Sequence, residues 1–261
     1  LAVPTTMEEL EAVLQTLEEV EPDLTGIVMR GRRAAATSQW APFLHSFGGN
    51  WLHADGTSAI NTPEAVQAFD FYGRMLREYG PPGAVGYHWA ETTSDFSSGR
   101  SAIHIGPNIF YAIYENPESS AVAGNVGYAL FPAGPAGSVP IVGVWGLSIP
   151  YISANPEAAW YFIQWASSPE IVRRLQIEQA ILGGRTSAWS DPEMAEYYPQ
   201  DLLQNVLESL EVASPLWNPP VIPVAEVRDV VGEVIVASIE GRDVQEAADA
   251  AAQRMNEILG R

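Results

Sequence analysis

The amino-acid sequence predicts an α/β protein whose last third is almost entirely helical. Two observations lead to this fold class: short apolar segments alternate with segments of helical periodicity, and the helical pattern becomes nearly continuous from about Asn155 onward. The segments with the composition of strands are 26–29, 101–105, 126–131 and 140–149. We expect the helical tail to return over a body that is built earlier in the chain.

Helix starts follow one recurring formula. A side chain that accepts a backbone hydrogen bond comes first, proline occupies the first turn, and glutamate meets the positive end of the helix dipole. Four segments have this pattern: Thr62-Pro63-Glu64, Asn155-Pro156-Glu157, Ser168-Pro169-Glu170 and Asp191-Pro192-Glu193. The formula predicts a helix at each of these positions.

Apolar stripes with helical spacing predict three further boundaries. The stripe that opens with Met7 predicts a first helix starting near Thr5 or Thr6. A second stripe lies within 66–76, and its helix should end at Gly80. A third helix should cover 243–259, because a glycine follows it as a stop signal.

A fourth stripe is aromatic. Trp160, Phe162 and Trp165 recur at helical spacing in AAWYFIQWA. Rings at this spacing more often pack in a core than line a ligand site. We therefore predict that these three side chains are buried.

The charge balance excludes several classes of partner. The 261 residues include 32 acidic and 13 basic side chains, which gives a net charge of −19. Phosphate recognition needs basic side chains that release counterions, so we expect no binding to nucleic acid or to an anionic membrane. An anionic ligand is also less expected, although one cluster of arginines would overturn that expectation.

Lysine and cysteine are absent from the sequence, which excludes the reactions and binding sites that depend on them. All 13 basic residues are arginines, and the sequence has no cysteine. Lysine Schiff bases, thiol nucleophiles, disulfides and thiolate metal sites are therefore excluded. The four histidines, His45, His53, His88 and His104, lack the spacing of a metal site, so we expect neither a metal nor a cofactor.

Five segments in a fixed order carry a resemblance to one family. They are VPTTMEELEAVLQTL, FGGNWLHADGTSAINTPEAVQAFDFYGRML, FSSGRSAIHIGP, GYALFPAGPAGSVPIVGVWGLSIPYISANPEAAWYFIQWASSPE and LGGRTSAWSDPE. In this order the segments resemble the family 1 extracellular solute-binding proteins of ABC importers, of which the maltodextrin-binding proteins are the best known. Met7 stands where the family usually has tryptophan, and Arg100 stands where it usually has lysine.

The resemblance implies the two-lobed fold of the type II periplasmic binding proteins. It assigns 1–124 and 184–261 to lobe 2 and 127–182 to the returning part of lobe 1, with hinge crossings near 125–127 and 182–186. Because relatives usually begin with a longer segment of lobe 1, we expect the chain to lack that segment. The returning part would then expose apolar surface and strand edges, which should rearrange, be covered by another molecule or promote self-association.

The same resemblance implies a function. Family members bind a ligand between two lobes, close on it by hinge motion and deliver it to the transmembrane subunits of an ABC permease. The expected ligand is a carbohydrate, with an oligosaccharide preferred, and no catalysis is expected. The expected location is the periplasm or a cell-surface lipoprotein, although no signal peptide is visible in this sequence. A glycan-acting enzyme, an interaction domain without a ligand and a non-sugar ligand remain alternatives.

The resemblance also places ten candidate ligand-binding residues at the cleft. Carbohydrate sites combine aromatic faces that stack on sugar rings with planar polar side chains that pair with hydroxyls. The candidates are Ser38, Gln39, Trp40, Asn108, Phe110, Trp145, Arg185, Trp217, Asn218 and Arg228. Arg228 lies where some sugar-binding members have an aromatic residue, so the maltodextrin pattern should not transfer as a whole.

The two tryptophans with the clearest functional roles also have structural explanations. Trp145, in GVWGLSIP, either presents its indole to the ligand between glycines or lies in a buried strand. Trp40 either faces the ligand or packs against Phe43 and Leu44 as one turn of a core helix. The sequence leaves both choices open.

Alternatives also remain for the polar candidates. Asn108 is either a ligand-binding residue or a helix cap. Arg185 either contacts the ligand or stabilises the hinge through an ion pair. In GYHWAETTSDF, Glu91 is predicted to be an acid at a helix N-terminus, and Trp89 has no assigned role.

Overall fold

The computed structural model describes all 261 residues of the chain. It contains helices α1 (Met7–Val20), α2 (Arg33–Ser46), α3 (Pro63–Tyr79), α4 (Trp89–Ser97), α5 (Tyr111–Tyr114), α6 (Pro156–Ala166), α7 (Pro169–Gln179), α8 (Thr186–Trp189), α9 (Gln200–Val212), α10 (Val224–Ile239) and α11 (Val244–Leu259), and strands β1 (Thr25–Val28) and β2 (Ser101–His104). Every regular element after β2 is helical, as the sequence predicted for the tail. None of the helices is both long enough and apolar enough to span a bilayer.

The two strands form a parallel pair. Thr25 lies opposite Ser101 and Val28 lies opposite His104, so the carboxyl ends of β1 and β2 meet at one edge. Parallel strands need a long crossover connection, which α2, α3 and α4 provide. Helices α1 and α3 both pack on β1, which buries Ile27 completely.

The segments 126–131 and 140–149 form no strands, and this part of the sequence prediction is wrong. In this region Ala133 makes an isolated bridge with Thr6, and Ile141 makes one with Ser214. A strand is stable only when a neighbouring strand pairs with its backbone groups. No neighbouring strand lies beside either segment in the described chain, so their apolar composition does not produce a sheet.

The predicted ends of α1, α3 and α11 are confirmed. The Thr6 hydroxyl caps α1 by accepting a hydrogen bond from the backbone N–H of Glu9 at 3.1 Å. Helix α3 ends at Gly80. Asp243 caps α11, which ends at Gly260 in the left-handed conformation that favours glycine.

The four proline-containing starts differ in two respects: Asp191 begins a short 3-10 helix, Pro192–Glu196, instead of an α-helix, and one of the four starts lacks a side-chain cap. Thr62, Ser168 and Asp191 each accept the expected backbone hydrogen bond through the side chain. Asn155 makes no such bond, although α6 begins at the predicted proline. The start of α6 is therefore the one member of the set without a side-chain cap.

The main hydrophobic core joins α1, α2, α3, α10, α11 and β1. Trp40 belongs to this core and stacks on Phe69, with ring centroids 3.8 Å apart. Helices α3 and α10 approach so closely that a Cβ atom added to Gly73 would collide with Ser238. The Ser238 hydroxyl donates to the carbonyl oxygen of Phe69 at 2.7 Å, so the buried hydroxyl at this crossing is satisfied.

A second, smaller core forms in the helical tail. Its buried members are Trp189, Met194, Tyr198, Leu202 and Val206. Here the Tyr198 hydroxyl donates to the carbonyl oxygen of Gln176 at 2.6 Å, which ties α7 to this core.

Helix α6 leaves its aromatic stripe uncovered. Trp160, Phe162 and Trp165 are 53 %, 55 % and 54 % exposed, so the prediction that they are buried is wrong. The helix packs mainly on α7, the next helix along the chain. The aromatic residues do recur at helical spacing, but no other element packs against the face of α6 that carries them.

Candidate functional site

The carboxyl ends of β1 and β2 form the candidate site. In open α/β sheets, ligands bind beyond these ends, where the loops bring side chains together. We call this surface the carboxyl edge; its side chains are those of Arg30, His88, Trp89, His104, Asn108, Phe110 and Arg228. Because Val28 and His104 lie opposite each other in the strand pair, the segments that follow the two strands are neighbours.

Gln39 fixes the two loops of the carboxyl edge. Its side-chain oxygen accepts a hydrogen bond from the backbone N–H of Arg30 at 2.5 Å, and its side-chain nitrogen donates to the carbonyl oxygen of Ile105. The Tyr72 hydroxyl donates to the carbonyl oxygen of Arg30 at 2.6 Å. One buried amide and one buried phenol therefore hold the backbone after β1 and the backbone after β2 in a fixed relation.

The loop after β1 is also joined to the start of α4. The backbone N–H groups of Gly31 and Arg32 both donate to the carbonyl oxygen of Tyr87, each at 3.1 Å. His88 and Glu91 then cap the helix reciprocally, since the Glu91 carboxylate accepts from the backbone N–H of His88 at 2.8 Å. The prediction that Glu91 is an N-terminal helix acid is confirmed.

Trp89 and Phe110 form an aromatic platform at the carboxyl edge. Their rings are nearly parallel, with an angle of 19° between planes and 6.1 Å between centroids. Trp89 is 46 % exposed, and the exposed Asn108 precedes Phe110 by two residues. A partly exposed ring beside a free amide is the combination that a polyhydroxylated ligand needs.

His104 lies behind this platform in a neutral state. Its Nδ1 atom is hydrogen-bonded to the Tyr114 hydroxyl at 2.6 Å, and its Nε2 atom is buried without a partner. Burial, assisted by the charge of Arg30, lowers the pKa of His104 to about 3. Gly106 is required here because a Cβ atom at that position would collide with the imidazole ring.

Two partly buried arginines complete the carboxyl edge. Arg228, in the second turn of α10, donates from Nη2 to the carbonyl oxygen of Ala34 at 2.7 Å, while its Nε is buried without a partner. Burial lowers the pKa of Arg228, and burial together with the charge of Arg228 lowers the pKa of Arg30. Neither arginine forms an ion pair, so both guanidinium groups remain able to bind an acceptor.

Comparison with known families identifies the chain. A profile of the family described as bacterial extracellular solute-binding protein matches residues 1–172. The chain belongs to this family. The family is one of solute-binding proteins, and its members act outside the cytoplasm.

Two relatives illustrate the range of this solute-binding family. A mannitol-binding protein from Pseudomonas aeruginosa is 26 % identical over 249 residues, which cover 88 % of this chain and 56 % of the relative. A probable amino-acid ABC transporter periplasmic-binding protein from Sinorhizobium fredii is 27 % identical over 173 residues, which cover 65 % of this chain and 38 % of the relative. The chain thus spans about half the length, or less, of these curated relatives.

A solved structure confirms the fold class. An ABC transporter solute-binding protein from Agrobacterium radiobacter K84, crystallised with ribitol, superimposes with a TM-score of 0.87 at 30 % identity. The match covers 99 % of this chain and 65 % of that protein. The predicted α/β architecture of the two-lobed periplasmic binding proteins is therefore confirmed, with the helix-rich C-terminal part in its expected place.

The structure places the Ser38–Trp40 group inside the protein rather than at the surface. Trp40 is fully buried, 0 % exposed, and contacts the edge of Trp51 as well as the face of Phe69. Ser38 and Gln39 are also buried, and Gln39 has its side-chain oxygen and nitrogen occupied by backbone groups. The assignment of these residues as ligand contacts is corrected: they support the site from within.

The solute-binding candidates Trp145, Trp217 and Asn218 lie in a different part of the chain. Trp145 is 92 % exposed on a segment without regular structure, so it lies in neither a core nor a strand. The Trp217 indole lies close to Gly143, and Asn218 has a buried side-chain oxygen without a partner. No hydrogen bond or ring contact joins these three side chains to the carboxyl edge.

Arg185 has a structural partner. Its Nε and Nη2 atoms donate to the carbonyl oxygen of Ser167 at 2.8 and 2.5 Å, which satisfies a carbonyl group at the end of α6. The ion pair that the sequence left open as an alternative does not form. A guanidinium engaged in this way supports the α6–α8 region.

Sequence reasoning missed Trp89, Arg30 and His104 as members of the candidate site. Trp89 follows a capping residue, Arg30 is the second residue after β1, and His104 is the last residue of β2. The rule that ligands bind beyond the carboxyl ends of parallel strands would have selected Arg30 and His104. No sequence pattern predicts that Trp89 stacks on Phe110, because the contact joins residues of two separate elements.

Proposed function

We propose that the chain is the solute-binding component of an ABC importer and that it binds a small polyhydroxylated ligand, a sugar or polyol, at the carboxyl edge. The observation that carries the proposal is the partly exposed Trp89–Phe110 platform beside unpaired guanidinium groups. The relatives named for mannitol and crystallised with ribitol support the ligand class. The expected preference for an oligosaccharide widens here to include linear polyols.

The chemistry of the carboxyl edge suits such a ligand. An aromatic face covers the C–H groups of a sugar or polyol, while its hydroxyls need planar donors and acceptors. The Asn108 amide supplies both, and the guanidinium groups of Arg30 and Arg228 supply donors in a fixed geometry. Each residue contacts a different part of the ligand, and none is required to transfer a proton or form a covalent bond.

In this proposal a second lobe completes the cleft. Residues 1–124 and 184–261 form lobe 2, residues 127–182 belong to lobe 1, and the chain crosses between them near 125–127 and 182–186. The ligand stabilises the closed arrangement through its greater affinity for that state, and Trp145 faces it from lobe 1. The closed protein delivers the ligand to the transmembrane subunits of a permease, in the periplasm or as a cell-surface lipoprotein.

The apolar surface of the lobe 1 part supports this arrangement. Its large exposed apolar side chains are Val144, Trp145, Leu147, Tyr151, Ile152, Trp160, Tyr161, Phe162, Trp165 and Ile181. Large apolar side chains that are exposed together mark interaction surfaces when they form a contiguous patch. In this proposal another polypeptide surface covers these side chains in the working protein, and self-association covers them when that surface is absent.

Calorimetric titration with a panel of ligands tests the proposed function. The panel contains ribitol, mannitol, maltose and, as the competing class, neutral amino acids. Saturable binding of at least one polyol or sugar is expected, with the ligand recovered unchanged. A preference for an amino acid, cleavage of maltose or no binding by any polyhydroxylated compound would overturn the proposal.

A variant pair locates the site. Trp89→Ala should weaken polyol binding about tenfold, which corresponds to about 1.4 kcal/mol for a lost stacking contact. Tyr197→Ala is the matched control, because Tyr197 is 45 % exposed but lies outside the carboxyl edge. Equal affinities for the two variants would contradict the assignment of the site.

A further inference from the structure

The distribution of ion pairs over the arginines is uneven. Most of the 13 arginines pair with a carboxylate; the exceptions are Arg30, Arg32, Arg185, Arg228 and Arg261. Arg185 is bound to a carbonyl oxygen at the end of α6. In a chain with 32 acidic residues, three unpaired arginines at one surface call for a physical explanation.

Arg30, Arg32 and Arg228 lie near the start of α4: the backbone N–H groups of Gly31 and Arg32 donate to the carbonyl oxygen of Tyr87, and Arg228 donates to the carbonyl oxygen of Ala34. Burial lowers the pKa of His88, and the charges of Arg30, Arg32 and Arg228 lower it further, while Glu91 acts in the opposite direction. His88 immediately precedes Trp89, so the cationic group lies beside the aromatic platform. The carboxyl edge is therefore a cationic surface on a strongly acidic protein.

The nearby carboxylates are already engaged. Asp229 and Glu233 both pair with Arg33, at 2.8 and 2.6 Å, and Glu233 also pairs with Arg254. Glu91 accepts a hydrogen bond from the backbone of His88 in the helix cap. None of these three carboxylates pairs with Arg30 or Arg228.

Partial burial makes this arrangement unfavourable unless an anion is present. Arg30 and Arg228 are both partly buried, and the Arg228 Nε atom is buried without a hydrogen-bond acceptor. An unpaired buried donor and two like charges in range of each other each destabilise the ligand-free state. A carboxylate accepts from a guanidinium in a bidentate geometry, so it both supplies an acceptor and offsets the repulsion between the two cations.

We propose that the ligand of this protein carries a carboxylate on a polyhydroxylated chain, as in an aldonic or related sugar acid, and that Arg30 and Arg228 bind the carboxylate. The hydroxylated carbons then extend over Trp89 toward Asn108. The inference rests on the proposed function, since it specifies the ligand of the same site. It reverses the expectation that a strongly acidic protein binds a neutral ligand.

Pairs of ligands that differ only at one end test this inference. Ribonate and ribitol, and gluconate and glucitol, are titrated against the protein at low and at high salt. The acid of each pair should bind at least tenfold more tightly, and only its affinity should fall with salt. Equal or tighter binding of the polyols would overturn the inference but leave the proposed function standing, whereas binding of neither class would overturn both.

Phosphate esters and variants complete the test. Tighter binding of ribitol 5-phosphate than of ribonate would overturn the assignment of a carboxylate. Arg30→Gln and Arg228→Gln should each remove most of the preference for the acid, whereas Arg228→Lys should retain part of it. Arg242→Gln, a loss of charge at an exposed ion pair with Glu240, should keep the full preference. If Arg30→Gln and Arg228→Gln both kept the preference for the acid, the proposal would be contradicted. If one of the two variants folds poorly, the other still provides the test.

Discussion

Helices α3 and α6 begin with the same sequence signal, but α3 packs into the core and α6 stays exposed. Each starts with proline and glutamate after a potential cap, and each carries aromatic residues at helical spacing. Helix α3 buries Phe69 and Tyr72 completely against its neighbours, whereas α6 leaves its aromatic residues more than half exposed. Local sequence therefore determines that a helix forms, but only a packing partner determines what the helix stabilises.

The same contrast separates two regions of the molecule. One region, formed by 1–124 and the last two helices, has a continuous core and a rigid carboxyl edge. The other, 139–166, has apolar composition and little burial. Substitutions of the same kind in the two regions should therefore differ in their effect on stability.

Large-to-small substitutions of tryptophan should differ most. Trp40→Ala removes a fully buried ring that stacks on Phe69, so the free energy of unfolding should fall by about 3–5 kcal/mol. Trp165→Ala removes a ring that is 54 % exposed, and the loss should stay below about 1 kcal/mol. Urea unfolding of both variants measures the two losses in free energy of unfolding. Similar losses would contradict the difference between the two regions.

Added methyl groups should show a smaller difference. Gly73→Ala places a Cβ atom against Ser238 where α3 crosses α10, and overpacking should destabilise the protein by about 1–3 kcal/mol. Gly146→Ala places the same atom where no other atom lies within 4 Å, so its effect should be close to zero. A measurable loss for Gly146→Ala would mean that the exposed segment is packed in solution.

Lowering the pH should reduce the stability of the region that contains the carboxyl edge, because His104 is buried there as a neutral side chain. The folded-state pKa is about 3 and the ordinary value is 6.5, so the unfolded chain binds one more proton between these limits. The stabilisation is complete above about pH 6.5 and is lost as the pH falls toward 3, by about 2 kcal/mol between pH 7 and pH 5.

Two variants make the acid effect specific. His104→Phe should unfold with a weaker dependence on pH between 7 and 5 than the parent protein. His53→Gln, at an exposed position in the loop before α3, should retain the parental dependence. If His104→Phe kept the full pH dependence, another group would be responsible.

Helix caps should give the smallest difference. Thr6→Ala removes a side chain that accepts from the Glu9 backbone, which should cost about 1 kcal/mol. Asn155→Ala removes a side chain that makes no cap hydrogen bond, so thermal unfolding should hardly change. A larger loss at Asn155 than at Thr6 would contradict the comparison of helix starts.

The sequence predicted the elements whose determinants are local. The start of α1 at Thr6, the end of α3 at Gly80 and the whole of α11 follow from caps and apolar spacing within one segment. The strand predicted at 140–149 failed because a strand depends on a neighbour that its own composition does not specify. The burial predicted for Trp165 failed for the same reason.

The candidate site shows the same limit, because the sequence selected some residues that lie at the surface and others that are buried. Asn108, Phe110 and Arg228 were selected by resemblance and lie at the carboxyl edge. Trp40 and Gln39 were selected by the same argument but are buried, because α2 turns them toward the core and toward the two strand ends. Which face of a helix points to the ligand depends on tertiary packing.

Hydrogen exchange along the chain tests the central claim, that the region around the carboxyl edge has a packed core and the 139–166 region does not. Amides of α3 and α10 should exchange slowly, whereas amides of 140–149 should exchange almost as fast as an unstructured peptide. Slow exchange across 140–149 in the monomeric chain would show a formed strand there and would contradict the account.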